Sequence, residues 1–189
     1  MVTSVFVFSQ TSNYQFDVKK GSSKIGDITL IQTISGGTKT VSLVSDIKYR
    51  FIFLFSANSK EEVAFTNGIM TYSNLSREQT GDRNINSRTR KSPGKYTVTV
   101  NDKKERELDI HDICYQSLCF YTTEPVNCRQ VYVDKYQQLL DIKQVSTHQY
   151  KVVFPDNNYN EYFYRDGLCK VIRVHQSLFN VQVELKKVF

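Results

Sequence analysis

Apolar and polar residues alternate along most of this chain, and that period of two restricts it to strands with one buried and one wet face. Tyr14, Phe16 and Val18 share a phase opposite Gln15, Asp17 and Lys19. Tyr96, Val98 and Val100 alternate with Thr97 and Thr99, and Tyr150, Val152 and Phe154 repeat the pattern. Phe179, Val181, Val183 and Leu185 alternate with Asn180, Gln182, Glu184 and Lys186. Between such runs stand residues suited to reversals. Asn67-Gly68 and Asp166-Gly167 favour type I′ hairpins, whose two central residues take positive φ. Gly36-Gly37, Asn101-Asp102 and Pro155-Asp156-Asn157-Asn158 mark three more. The runs between turns predict about ten to twelve strands. Closing or curving such a sheet hides its edges and gives its apolar face something to pack against. The expected fold is therefore all-β: one antiparallel, meander-like barrel or strongly curved half-barrel.

Two stretches depart from the alternation. Ile47, Tyr49, Phe51, Phe53 and Phe55 form one face of the longest apolar segment, and its other face passes from Lys48 and Arg50 to Ile52 and Leu54. That pattern predicts a strand covered on both sides in its second half, or bent over a bulge. Residues 108–120 place Ile110, Ile113, Cys114 and Ser117 at helical spacing, with Asp109 or Asp112 available as a cap. One short helix or an irregular crossover is expected near residues 110–118, ended by Glu124-Pro125.

Composition narrows the class. Aromatic residues make up 13% of the 189, far more than a disordered chain carries. No apolar run approaches the roughly 20 residues of a membrane-spanning helix. The chain reads as one soluble domain of net charge +6. Its first residues include Val5-Phe6-Val7-Phe8, with Val7 and Ser9 placed as small residues before Gln10, so residues 1–10 read as the remnant of an export signal. The competing reading is an ordinary first strand. Residues 11–189 form the domain, and the location that follows is the periplasm or cell envelope. Cys114, Cys119, Cys128 and Cys169 have neither zinc-ribbon nor Cys-x-x-Cys spacing. They are either buried thiols or disulfide partners in an oxidising compartment.

Catalytic signatures are missing from the sequence. It has no Gly-x-Ser-x-Gly elbow and no Gly-rich phosphate loop. His111 precedes Cys114 by three residues but lacks further ligands of the right type, so no metal or cofactor is expected. Glu105, Glu107 and Asp109 alternate as a solvated face does, without the opposed pair that glycoside hydrolysis needs. Arg77, Arg83, Arg88, Arg90, Lys91 and Lys95 gather in an otherwise polar stretch. They suit a solubilising hairpin, or a surface that attracts an acidic envelope component, better than nucleic acid.

The order of several short motifs resembles a bacterial family of unknown function. These are Lys24-Ile25-Gly26, Ser45-Asp46 before the aromatic segment, Phe65-x-Asn67-Gly68, Tyr121-x-x-Glu124-Pro125, Tyr150-x-Val152-x-x-Pro155-Asp156, and Asn160-x-Tyr162-x-Tyr164-x-Asp166-Gly167. The resemblance implies an antiparallel barrel or curved sheet behind an export signal in Gram-negative bacteria. It supplies no catalytic residues.

The leading functional expectation is a non-enzymatic envelope protein that holds a lipid-like or other apolar molecule inside its curved sheet. Tyr49, Phe51, Phe53, Phe55, Tyr162 and Tyr164 are the expected lining. The alternative is a scaffold docking an acidic partner through residues 77–95; an enzyme of unknown class comes third.

Overall fold

The computed structural model describes residues 9–50, 54–81, 84–103, 105–177 and 180–189. Fifteen strands occur among them. The first eight are β1 (Ser9–Lys20), β2 (Ser23–Ser35), β3 (Thr38–Arg50), β4 (Leu54–Thr66), β5 (Ile69–Gln79), β6 (Ile85–Ser92), β7 (Lys95–Val100) and β8 (Arg106–Leu108). After a 3-10 helix at Ser117–Tyr121 come β9 (Gln130–Val133), β10 (Gln138–Asp141), β11 (Lys143–Ser146), β12 (Gln149–Val153), β13 (Tyr159–Arg165), β14 (Leu168–His175) and β15 (Asn180–Val188).

Thirteen strands make one antiparallel sheet, in the order β11-β12-β13-β14-β15-β1-β2-β3-β4-β5-β6-β7-β8. Every neighbour is a sequence neighbour except β15 and β1, which pair through Phe16 with Leu185 and Val18 with Val183. The sheet does not close: β8 and β11 are its edges. It is the curved half-barrel of the two expected forms, with more strands than the ten to twelve that turn counting gave.

The alternation works as expected. Tyr14, Phe16, Val18, Leu30, Val41, Leu43, Val63, Tyr96, Val98, Tyr150, Val152, Tyr162 and Val183 all turn inward and are buried. The turn residues also behave as their chemistry requires: Asn67 and Gly68 have φ of 50° and 81°, Asp166 and Gly167 55° and 71°. Bulges at Val18/Lys19, Ala64/Phe65 and Phe163/Tyr164 bend the strands.

The chain passes from one edge of the sheet to the other through residues 109–142, which lie against its inner face as a plug. The 3-10 helix packs on β3, β4 and β14. Ile113, Leu118, Phe120, Val131 and Tyr132 are buried there. Phe120 stacks on Tyr162 with ring centres 3.9 Å apart. The Tyr164 hydroxyl donates to the Phe120 carbonyl at 2.7 Å. Tyr96 ties in the other end: its hydroxyl donates to the Met70 carbonyl at 2.6 Å and accepts from the Ile113 amide at 3.2 Å. The β9–β10 hairpin completes the plug, with Tyr132 N–H bonded to the Tyr115 carbonyl at 2.9 Å.

Two local expectations need correction. Of the two forms expected near residues 110–118, the irregular crossover occupies 110–115, and the helix is displaced to 117–121, is of the 3-10 type, and is capped by Gln116, whose side chain accepts from the Leu118 amide. Residues 110–115 run without regular structure because their apolar side chains are spent on the sheet. The aromatic segment 47–55 is two strands instead of one. Arg50 pairs with Leu54 and Tyr49 with Phe55, so the segment divides between β3 and β4. Leu54 is 52% exposed, so it is not covered on its outer face.

Candidate functional site

Between the sheet and the plug lies a cavity of about 220 Å³. The order of the strands sorts its lining. Ile172 and Val174 on β14, Val181 and Val183 on β15, Val18 on β1, Ile28 on β2, and Leu43 and Ile47 on β3 form a continuous aliphatic wall across five adjacent strands. The next two strands are different. β4 and β5 bring Ser59, Glu61, Arg77 and Gln79 alongside Leu75. The plug contributes Leu118, Tyr121, Asp134 and Lys135, while β13 adds Asn160 and Tyr162.

Arg77 donates through Nη2 to Glu61 Oε1 at 3.1 Å. The Ser45 and Ser59 hydroxyls bond each other at 2.9 Å on the floor. Tyr121 sets its ring edge-on to Phe16 at 5.2 Å, and its hydroxyl has no hydrogen bond among the described residues. Burial pushes the phenols of Tyr121 and Tyr162 well above their ordinary range, so both keep their protons. Asn160 Nδ2 donates to the Tyr162 hydroxyl at 3.3 Å.

Behind the polar wall sits a buried carboxylate. Asp134 Oδ1 accepts from the Ser73 hydroxyl at 2.6 Å and from Thr89 at 3.4 Å, and Oδ2 accepts from Gln116 Nε2 at 2.6 Å. Thr89 in turn bonds the Tyr132 hydroxyl at 2.9 Å. Burial raises the Asp134 pKa to about 6, with the hydrogen bonds from Ser73 and Gln116 opposing and nearby Glu61 adding to the rise. A second acid, Glu124, fastens the other side of the plug: Tyr150 donates to its Oε1 at 2.9 Å, and His148 Nδ1 lies 2.9 Å from the same oxygen. Burial and this carboxylate push the Tyr150 phenol up to about 12.

Of the expected lining residues, Phe55 and Tyr162 face this cavity. Tyr164 belongs to the packed core under the plug, and Tyr49 is half-buried with Lys20 Nζ 4.5 Å from its ring centre. Phe51 and Phe53 lie outside the described residues, as do Arg83 and residues 1–8 of the export reading. Ser9 and Gln10 open β1, paired with Ser35 and Ile34. The basic residues are dispersed. Arg77 turns into the cavity, Lys91 bonds Asp112 at 2.6 Å, and Lys95 pairs with Glu107. Arg88 and Arg90 are exposed on the outer face of β6, Arg90 6.0 Å from the Tyr72 ring centre. The four cysteines are free thiols: Cys119 and Cys169 buried, Cys128 half-buried, Cys114 exposed. Burial pushes the Cys169 thiol up to about 12, the behaviour of a packing residue.

Sequence reasoning missed Asp134, Glu61 and the inward serines. The signal was present: Ser45, Ser59, Ser73 and Ser87 recur every fourteen residues, on β3, β4, β5 and β6, and all four are buried. Of these hydroxyls, Ser73 reaches Asp134 of the plug, while Ser45 and Ser59 bond each other.

The family model for DUF6134, a domain of unknown function, matches residues 16–186. The chain belongs to the DUF6134 family. No curated protein matches the DUF6134 chain in sequence. Its fold is similar to the crystal structure of a β-barrel-like protein of domain of unknown function DUF1849 from Brucella abortus. The TM-score is 0.59 at 9% identity, over 94% of this chain and 96% of that one. That likeness concerns the fold alone. Among the described residues, no helix is long and apolar enough to cross a membrane.

Proposed function

We propose that this DUF6134 chain is a non-enzymatic binding protein of the bacterial cell envelope, holding a small molecule with an apolar surface between its curved sheet and its plug. One observation carries the reading. The inward faces of five adjacent strands line a cavity that the plug does not fill, with aliphatic side chains at every lining position except Ser45. Packed interiors leave few voids larger than a water molecule, and a dry cavity of roughly 150 Å³ already admits benzene. Placement in the envelope is supported by the apolar N-terminal residues.

Native mass spectrometry of protein expressed with its export signal tests this reading. Extra mass removed by solvent extraction is expected. Ala57→Trp, which projects an indole from β4 into the cavity, is expected to fold and to lose that mass. A clean polypeptide mass in the parent protein, together with no small molecule gained on incubation with a lipid extract, would overturn the proposal.

A further inference from the structure

We infer that the ligand of this cavity carries a carboxylate, received by Arg77 with the hydroxyls of Tyr121 and Tyr162, and a short aliphatic tail. The inference rests on the cavity being a ligand site, and it follows from counting hydrogen-bonding capacity along the polar wall. A guanidinium offers five N–H donors in a planar fork. Arg77 spends one of them on Glu61 and makes no other hydrogen bond among the described residues. Tyr121 has an unspent hydroxyl proton, and Tyr162, which accepts from Asn160, also keeps its own. The two carboxylates of the same wall already hold protein donors. Asp134 already takes protons from Ser73, Thr89 and Gln116, and Glu61 holds Arg77.

A cationic fork beside two unspent phenol protons calls for a ligand group that accepts. A carboxylate does so and matches the guanidinium fork with two parallel bonds. An alcohol satisfies at most one or two of these donors, and an ammonium none. Glu61 acts as a positioning residue, fixing the fork toward the cavity from the neighbouring strand. The Arg77 side chain is 34% exposed, so the charged head sits toward the mouth and keeps part of its hydration, while the tail enters. That orientation sets the tail along β15, β1 and β2, where the lining is Val181, Val183, Val18 and Ile28. A volume of about 220 Å³ suits a chain on the scale of octanoate.

Isothermal titration of the full chain with octanoate, 1-octanol and octylammonium at pH 7.5 tests the inference. Octanoate is expected to bind at least tenfold more tightly than 1-octanol, and octylammonium more weakly than either. Arg77→Gln is expected to abolish the preference for octanoate while leaving 1-octanol affinity unchanged, and Arg77→Lys to restore part of it. Tyr121→Phe, which removes one hydroxyl and makes no change to Arg77 or Glu61 themselves, is expected to weaken octanoate several-fold. Equal affinity for octanoate and 1-octanol overturns the head-group assignment and leaves the cavity reading standing. A preference for octanoate that survives Arg77→Gln also overturns it. Binding that persists undiminished in Ala57→Trp places the probe elsewhere and overturns both, as does no binding of any probe.

Discussion

Asp134 is a carboxylate placed where its charge is costly, with three hydrogen-bond donors arranged around it. Its folded pKa of about 6 stands above the ordinary 3.8, so in this range the native state binds more protons than the unfolded chain. Its contribution to stability is therefore greatest below about pH 4 and is lost as pH rises through 6. A displacement of that size corresponds to roughly 3 kcal/mol as an upper figure. Asp134→Asn keeps an acceptor for Gln116 and removes the charge, with the Ser73 hydroxyl turning from donor to acceptor of the new amide. Urea unfolding at pH 4, 5, 6 and 7 is expected to show the parent protein losing up to about 3 kcal/mol relative to the variant across that window. A constant difference would show that the carboxyl titrates normally. Gly26 is a constraint of another kind, in space rather than in φ. A Cβ there would lie 2.4 Å from the Asp46 carbonyl oxygen and 2.8 Å from Ile47 Cα, both main-chain atoms of β3. Gly26→Ala is expected to cost about 2 kcal/mol by thermal unfolding, since the strands must part. Neither residue announced its role in the sequence: the partners of Asp134 stand at 73, 89 and 116, far from it along the chain.

At the scale of elements, strands and hairpins were legible because their signals are local. Inward phase is set by neighbours two residues away, and a type I′ turn by the two residues that form it. The plug was legible only as an exception to the alternation. Its residues 110–115 resemble a helix face in spacing, yet their apolar side chains and main-chain groups bond to the sheet, and that competition leaves one turn of 3-10 helix. Tyr96 serves as the peg on which this holds, since its hydroxyl joins the Ile113 amide and the Met70 carbonyl, both remote in sequence. Tyr96→Phe leaves the buried Ile113 amide without a partner, expected to cost about 2 kcal/mol. For a domain of this size that is about 4–8 °C in Tm, measured by calorimetry. Unchanged Tm would show that the plug does not depend on this contact. The aromatic segment 47–55 shows the converse. A run without turn residues folds as a hairpin because Tyr49 pairs with Phe55 and Arg50 with Leu54, a pairing that composition does not reveal.

At the scale of the whole molecule, the last strand lies in the middle of the sheet. β15 is hydrogen-bonded on one side to β14 and on the other to β1, and Val181 and Val183 are part of the aliphatic wall. Deleting residues 180–189 is therefore expected to do more than trim an edge. Both neighbours lose their ladders, the cavity opens, and the product is expected to bind a hydrophobic dye and to unfold without a cooperative transition. A cooperative melt within a few degrees of the parent would show that the sheet can close over the gap. Hydrogen exchange is expected to follow the same geometry, slowest in β1, β2, β3 and β15, and fastest in β8 and β11, which are short and paired on one side only. Equal protection of edge and centre would contradict it.

The sequence by itself determined the all-β class, the inward face of strands such as β1, β7, β12 and β15, and the positions of the principal hairpins. These depend on interactions between residues near one another along the chain. The tertiary structure decided that β1 meets β15, that residues 109–142 cross the inner face, and that Arg77 faces a cavity instead of joining an outer basic patch. Such outcomes follow from which distant surfaces exclude water together and which buried polar groups then find partners. A pattern with a period of two shows that Arg77 shares the phase of Leu75. It does not show that Glu61, sixteen residues earlier, stands beside it on the next strand, or that an aliphatic wall lies farther along the same inner face.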